Sequence, residues 1–241
     1  MSEWIYGKNV LDAALASNRK IFKVIVNASA KESLKELTRK CESKGIKIET
    51  LDSKGFDQKY KGLTQGIVAE VDDYKYVELE NVLYKIEKKQ EMPFLLVLDS
   101  LEDPHNLGAI LRTADAAGVH AVLIPKHRNV QLNGTVAKVS TGAIEYVDVV
   151  QITNITATLR ELKKKGIWII GAEADAKTDF FHQDYKMPLA LVIGSEGKGI
   201  SRLVRENCDF LVAIPMVGHV NSLNASVSAA LMIYEVFKNR K

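Results

Sequence analysis

The chain has 241 residues, 46% hydrophobic and 26% charged, with 33 Lys plus Arg against 30 Asp plus Glu. That length suits one large or two small domains with a sizeable core, and a net charge of +3 is permissive of nucleic acid without requiring it. The longest apolar runs are of strand length, the N-terminus shows no charged-then-apolar leader pattern, and the two cysteines, Cys41 and Cys208, fall in separate regions; these features predict a cytoplasmic protein with no membrane span, no disulfide framework and no zinc cluster.

The first region runs from 1 to 72. Gly7–Ser17 reads as a short helix with Val10, Leu11, Ala14 and Leu15 on one side, and Lys23–Asn27 as a strand. Ser33–Lys44 is an amphipathic helix with its N-cap expected at Ser33 and its stop at Gly45. Ile46–Leu51 alternates as a strand, and Gly66–Val71 supplies another. The pattern is a small α/β unit. Residues 1–70 hold 13 Lys plus Arg against 9 Asp plus Glu, a surplus of four positive charges, with lysines near a loop at Lys54, Lys59 and Lys61. On charge alone, a solvated face is the favoured explanation.

Residues 73–91 read as a helix-bearing linker, with Val77, Leu79, Val82, Leu83 and Ile86 forming a helical stripe. The second region, 92–241, alternates strand and helix. Strands are expected at Phe94–Asp99, Ala121–Pro125, Tyr146–Val150, Ile167–Gly171, Ala190–Gly194 and Phe210–Pro215. Helices are expected at Asn106–Ala117, Thr135–Ala143, Asn154–Lys165, Ser201–Asn207 and Leu223–Phe237. Near-continuous apolar strands alternating with helices imply a mostly parallel sheet covered on both faces.

Three loops of this region follow predicted strands, so all three are expected at one edge of one sheet, where α/β proteins place their chemistry. The first leads into Asn106-Leu-Gly-Ala-Ile-Leu-Arg112, which puts one arginine on an otherwise apolar helix. Such an arginine is paired, solvent-facing or functional. The second is Gly194-Ser-Glu-Gly-Lys-Gly-Ile200. It is neither a Gly-x-Gly-x-x-Gly fingerprint nor a phosphate-binding Walker loop, because Ile200 stands where lysine would follow. It reads either as a flexible turn or as bare backbone that lets a ligand approach, with Glu196 as a placed carboxylate. The third is Ile214-Pro-Met-Val-Gly-His-Val-Asn-Ser222, leading into Leu223-Asn-Ala-Ser-Val-Ser228. There Ser222 is the expected N-cap, Asn224 is either a local hydrogen-bonder or functional, and Leu223, Val227, Leu231 and Tyr234 recur at core spacing. The five histidines are scattered without metal-ligand spacing; His105 and His219 fall in candidate loops.

Taken together, these segments resemble the three motifs of the SpoU/TrmH family of RNA ribose 2′-O-methyltransferases. Asn106, Gly108 and Arg112 match the first, Gly194–Gly199 the second, and Ile214-Pro-Met216 through Ser222-Leu-Asn-Ala-Ser-Val227 the third, with Ala225 where the family usually has Val. Ile5-Tyr-Gly-Lys-Asn-Val-Leu11 and Gln65-Gly-Ile-Val-Ala69 are similar to the family's substrate-binding domain. The resemblance covers nearly the whole chain and is closest to the branch of bacterial 23S rRNA guanosine 2′-O-methyltransferases.

The resemblance implies an α/β catalytic domain over 92–241 with a deep trefoil knot, an exception to the rule that chains do not thread loops, and an RNA-binding domain of ribosomal-protein-like fold over 1–72. It implies S-adenosylmethionine held in a bent conformation at Gly194, Ile214 and Leu223, with Met216 and Gly171 as neighbours, and no metal. It implies Arg112 as the catalytic residue, Asn106 and Glu196 positioning it or the ribose, and Ser222 and Asn224 completing the pocket. A guanidinium stays protonated in proteins, so a phosphate clamp is the favoured role for Arg112, with substrate phosphate or water accepting the proton. The expected assembly is a homodimer with its sites at the subunit interface, to which the helix Leu223–Phe237 contributes. A guanosine in 23S rRNA is the expected target. The alternatives are a tRNA, a different rRNA nucleotide in a resistance enzyme, a non-catalytic RNA-binding or ribosome assembly factor that keeps the fold, and a nucleotide-binding protein using the Gly194–Gly199 turn, which lacks the phosphate-loop lysine.

Overall fold

A computed structural model describes residues 2–17, 19–219 and 222–241. The Val220-Asn221 stretch of the third loop lies outside the described residues. The chain forms two compact units, one of residues 1–75 with Leu132–Tyr146, the other of Tyr76–Gln131 with Val147–Lys241. Residues 132–146, expected in the second region, therefore pack with the N-terminal unit.

The N-terminal unit contains β1 (Ser2–Tyr6), α1 (Lys8–Ala16), β2 (Ile21–Asn27), α2 (Lys35–Ser43), β3 (Lys47–Leu51), α3 (Ser53–Lys59) and β4 (Ile67–Asp72). Its sheet runs β1-β4-β2-β3, with β4 antiparallel to both neighbours and β2 parallel to β3. Phe56, Tyr60, Ile25 and Val68 form a core beneath Trp4 and Tyr6. Two expectations fail locally. The Ser33 hydroxyl donates to the Ala30 carbonyl at 2.9 Å rather than capping α2, because a 3-10 turn at Glu32–Leu34 delays the helix to Lys35. The loop expected at Lys54–Lys61 contains α3, capped by the Asp52 carboxylate accepting from Gly55 N at 3.0 Å.

The second unit begins with α4 (Leu79–Lys88), whose buried Leu79, Val82 and Ile86 are the apolar stripe read from the sequence. There follow β5 (Phe94–Leu98), α5 (Pro104–Ala117) and β6 (Ala121–Pro125). The next helix, α6 (Gly134–Val139), belongs to the N-terminal unit, where Gly134 N donates to Glu3 at 2.7 Å and a Cβ on Gly134 would lie 2.6 Å from the Trp4 carbonyl. The chain continues through β7 (Asp148–Ile152), α7 (Ile155–Lys164), β8 (Trp168–Ala172), the two-residue β9 (Thr178–Asp179), β10 (Leu189–Ile193), α8 (Arg202–Arg205), β11 (Phe210–Ala213) and α9 (Ala225–Arg240). The strand expected at Tyr146 starts two residues later, since Tyr146 closes a 3-10 turn over Ala143–Glu145.

The seven strands of this unit are ordered β7-β6-β5-β10-β8-β11-β9, and every neighbouring pair is parallel. All five residues of β5 and all five of β10 are buried, which is what a parallel sheet covered on both faces requires. On one face α4 and α7 pack against Leu95, Val97, Ala190 and Val192; α5 and α9 pack against each other, with α9 also on β10. The core side of α9 is Ala225, Ala229, Met232, Ile233 and Val236. Val227, Leu231 and Tyr234, expected in the core, are between 41% and 48% exposed and form an outward apolar stripe. Their helical spacing is real, but the helix is apolar nearly all round and so spacing did not reveal which side faces inward.

Candidate active site

Because the sheet is parallel, the loops after β5, β8, β10 and β11 all emerge at its carboxyl edge. The first motif opens α5. Asp103 caps this helix by accepting from His105 N at 2.9 Å, and Pro104 occupies its first position. Helical spacing then buries Asn106, Ile110 and Ala114 and leaves Arg112 exposed. The Arg112 guanidinium has no hydrogen bond or ion pair with any described residue. An unengaged planar fork is free to take a substrate anion.

The second motif is a closed turn. Ser195 N donates to the Gly199 carbonyl at 3.2 Å, and Gly199 N donates back to Ser195 at 3.0 Å. A Cβ on Gly194 would lie 2.1 Å from the Gly199 carbonyl, so the chain's own backbone, rather than a ligand, demands that glycine. Gly197 and Gly199 have φ of +77° and +63°, which L side chains rarely adopt. The turn is thus rigidly hydrogen-bonded and holds Glu196 at its tip.

The third motif starts α9. Asn224, not Ser222, caps this helix: its Oδ1 accepts from Ser226 N at 2.9 Å and from Val227 N at 3.3 Å. Its Nδ2 donates to Asn106 Oδ1 at 2.9 Å and to Glu196 Oε1. The same Glu196 oxygen accepts from Asn106 Nδ2 at 3.0 Å and from Ala225 N at 3.2 Å. One carboxylate oxygen therefore joins the three motifs, at the N-terminus of a 16-residue helix whose dipole favours negative charge there.

Beside this network lies a cavity of about 330 Å³. Gly194, Ile214, Met216 and Leu223, expected to hold the cofactor, all line it, as do Glu196 and Ser222. Gly171 does not. A Cβ there would lie 2.9 Å from both Cys208 Sγ and Ile200 Cδ1, so Gly171 is small to let β8 pack closely. Its place in the cavity wall is taken by Ala172, Glu173 and Ala174. Sequence reasoning passed over this loop although it too follows a strand, and it passed over Asp99. The Asp99 carboxylate is 4% exposed and accepts from Ser201 N at 2.8 Å, tying the end of β5 to the start of α8. A carboxylate ending a five-residue apolar strand was the available signal. His105 and His219 stand apart from the network's hydrogen bonds, and among the described residues no group of His, Cys, Asp and Glu could hold a metal.

Residues 93–234 match the SpoU rRNA Methylase family, and residues 4–77 match the family described as RNA 2′-O ribose methyltransferase substrate binding. The class is RNA methyltransferases of the SpoU/TrmH type; within it, the chain belongs to the SpoU rRNA methylase family. The Bacillus subtilis (strain 168) protein named "Putative TrmH family tRNA/rRNA methyltransferase YacO" is 49% identical over 99% of this chain and 96% of its own length. A Staphylococcus aureus (strain MSSA476) protein of the same name, without the suffix, is 46% identical over 98% and 96%. Among solved structures, the SpoU methyltransferase AviRb from Streptomyces viridochromogenes, in complex with AdoMet, aligns with a TM-score of 0.83 over 99% of this chain and 90% of that one, at 22% identity. An AdoMet-bound rRNA methyltransferase from Sinorhizobium meliloti gives 0.82 over 98% and 87%, also at 22% identity. These two likenesses confirm the fold.

Proposed function

We propose that the protein transfers the methyl group of S-adenosylmethionine to a ribose 2′-hydroxyl of RNA, and that the target is a guanosine of 23S rRNA. The convergence of Asn106, Asn224 and Ala225 on one oxygen of Glu196, beside the cavity, carries this reading. The cavity suits the cofactor. It is of ligand size, with Ile193, Ile214, Met216 and Leu223 as apolar walls and Ser195, Ser222 and Ser228 among the other lining residues. A Cβ on Gly197 would meet nothing within 4 Å, so the wall there is open backbone. Gly194, Ile214, Met216 and Leu223 would hold the cofactor, which when bound supplies an electrophilic methyl on a sulfonium.

The chain's own residues do the rest. Arg112 grips a substrate phosphate with its bidentate donors and so orients the reacting ribose. Asn106 and Glu196 fix the start of α5 against the glycine turn, Asn224 ties both to the start of α9, and Ser222 completes the pocket wall. The 2′-hydroxyl proton passes to substrate phosphate or water, because a guanidinium stays protonated. The additional N-terminal unit, matched to a substrate-binding family over residues 4–77, supports a large RNA such as rRNA over tRNA. The outward stripe of Val227, Leu231 and Tyr234 supports a homodimer built on α9, with the trefoil-knotted path of the family. We place the reaction in the cytoplasm.

Purified protein incubated with S-adenosylmethionine and either 23S rRNA or tRNA, followed by nucleoside mass spectrometry, tests the reading. 2′-O-methylguanosine in 23S rRNA is expected. Product confined to tRNA overturns the target, and no product on either RNA overturns methyl transfer. Sedimentation at micromolar concentration is expected to show a dimer; a fully active monomer contradicts the assembly.

A further inference from the structure

The strand-end loop beside the first motif is basic and is not explained by the network above. β6 neighbours β5 in the sheet, and its carboxyl end runs into Lys126-His127-Arg128-Asn129. Lys126, His127 and Arg128 are exposed, and none of their side chains has a hydrogen bond, ion pair or ring contact with a described residue. Lys126 and Arg128, two cations close in the chain and left without acid partners, repel one another unless an anion joins them.

Their loop is nonetheless built, not loose. Leu101 N donates to Asn129 Oδ1 at 2.6 Å, and Val130 N donates to the Leu101 carbonyl at 2.7 Å, so the loop is clasped to the segment that leads into α5. Gln131 Nε2 closes it from below by donating to the Pro125 and Asn129 carbonyls at 3.0 and 3.1 Å. Within this clasp Arg128 holds φ of +57°, a conformation side-chain-bearing residues adopt sparingly and one found where surroundings enforce it at functional sites.

We infer that Lys126 and Arg128 form a second phosphate-binding element of the RNA site, gripping the backbone next to the ribose presented at the Asn106 end of α5. This deepens the proposed function and rests on it. Neighbouring strands lie about 4.8 Å apart, so the loop after β6 stands within reach of a phosphate flanking a ribose held at the end of β5. The loop reads no base; phosphate contacts set register and orientation.

The test uses the full chain and a fluorescein-labelled single-stranded RNA of mixed sequence, because phosphate contacts are sequence-independent. The dissociation constant is measured against salt for the unaltered protein, for the double variant Lys126→Ala/Arg128→Ala, for Arg128→Lys, and for Lys164→Ala/Lys165→Ala. The last pair removes the same charge at the far end of α7, which returns to the amino edge of the sheet. Two lost contacts, at about 0.7 each on a single strand, lower the log–log salt slope by about 1.4. Arg128→Lys retains most of its slope. An unchanged slope in the double variant overturns the assignment, as does an equal fall in the control pair, which would make the effect one of net charge. If the unaltered protein binds no RNA, the proposed function fails and this inference with it. S-adenosylmethionine affinity and thermal midpoint are expected to be unchanged in every variant.

Discussion

The Asn106 side-chain amide donates to the Glu196 carboxylate at 3.0 Å across 90 residues of sequence. That bond fixes the start of α5 against the tip of the glycine turn, and Asn224 completes the triangle by donating to both residues. Asn224 has two separable duties, since its Oδ1 caps α9 while its Nδ2 serves the network. Asn224→Ser keeps a capping oxygen and loses the amide donor. It is expected to hold stability within about 0.5 kcal/mol of the parent while lowering methyl transfer at least tenfold, whereas Asn224→Ala loses activity and about 1 kcal/mol of stability. Denaturant melts alongside turnover check this; equal stability losses in the two variants would show that the cap is not what Asn224 contributes.

Arg112 is exposed and unengaged, so its removal costs the fold little. Arg112→Ala is expected to lower kcat by about 100-fold or more with S-adenosylmethionine binding unchanged by calorimetry, on the scale seen when a single catalytic donor is removed. Arg112→Lys is also expected to be poor, because a point charge does not replace a planar fork. Retained turnover in the alanine variant would sink the catalytic assignment.

Gly194 and Gly218 give a paired test of the turn. A Cβ at Gly194 collides with the Gly199 carbonyl and the Ile200 amide, whereas a Cβ at Gly218 meets nothing within 4 Å. Gly194→Ala should open the Ser195–Gly199 turn, weaken cofactor binding and cost about 1–3 kcal/mol. Gly218→Ala should leave the thermal midpoint unchanged, and a cost equal to that of Gly194→Ala would show the turn is not the cause.

Burial pushes the Cys41 thiol up to about 11 and the Cys208 thiol up to about 12, with neighbouring Glu42 and Asp209 carboxylates adding to the shift. The reactive thiolate is therefore scarce at neutral pH. Native protein is expected to resist an aromatic disulfide reagent at pH 8, while both thiols react in guanidinium. Rapid labelling of the native protein would contradict the described packing of both residues.

The periodicity of apolar residues located most elements of the parallel sheet and its helices, because strand alternation and helical stripes are local consequences of burial. Of the motif loops, Asn106, Arg112, Glu196 and Asn224 were legible by their resemblance to a family. What periodicity missed follows from near-ubiquitous apolarity or from local competition. α9 is apolar on most sides, so Val227, Leu231 and Tyr234 read as core and prove exposed. At the start of α9, Ser222 and Asn224 both have capping side chains, and the helix begins at the second.

By itself, then, the sequence determined an α/β protein with three strand-end loops carrying polar residues, since those signals need only near neighbours in the chain. Tertiary structure alone decided that Gly171 serves packing, that Gly194 yields to backbone, that Glu173 and its neighbours wall the cavity, and that residues 132–146 pack with the N-terminal unit. Each of these depends on which distant segment lies alongside, and the strand order β7-β6-β5-β10-β8-β11-β9 that sets those neighbours leaves no mark in any local stretch of residues.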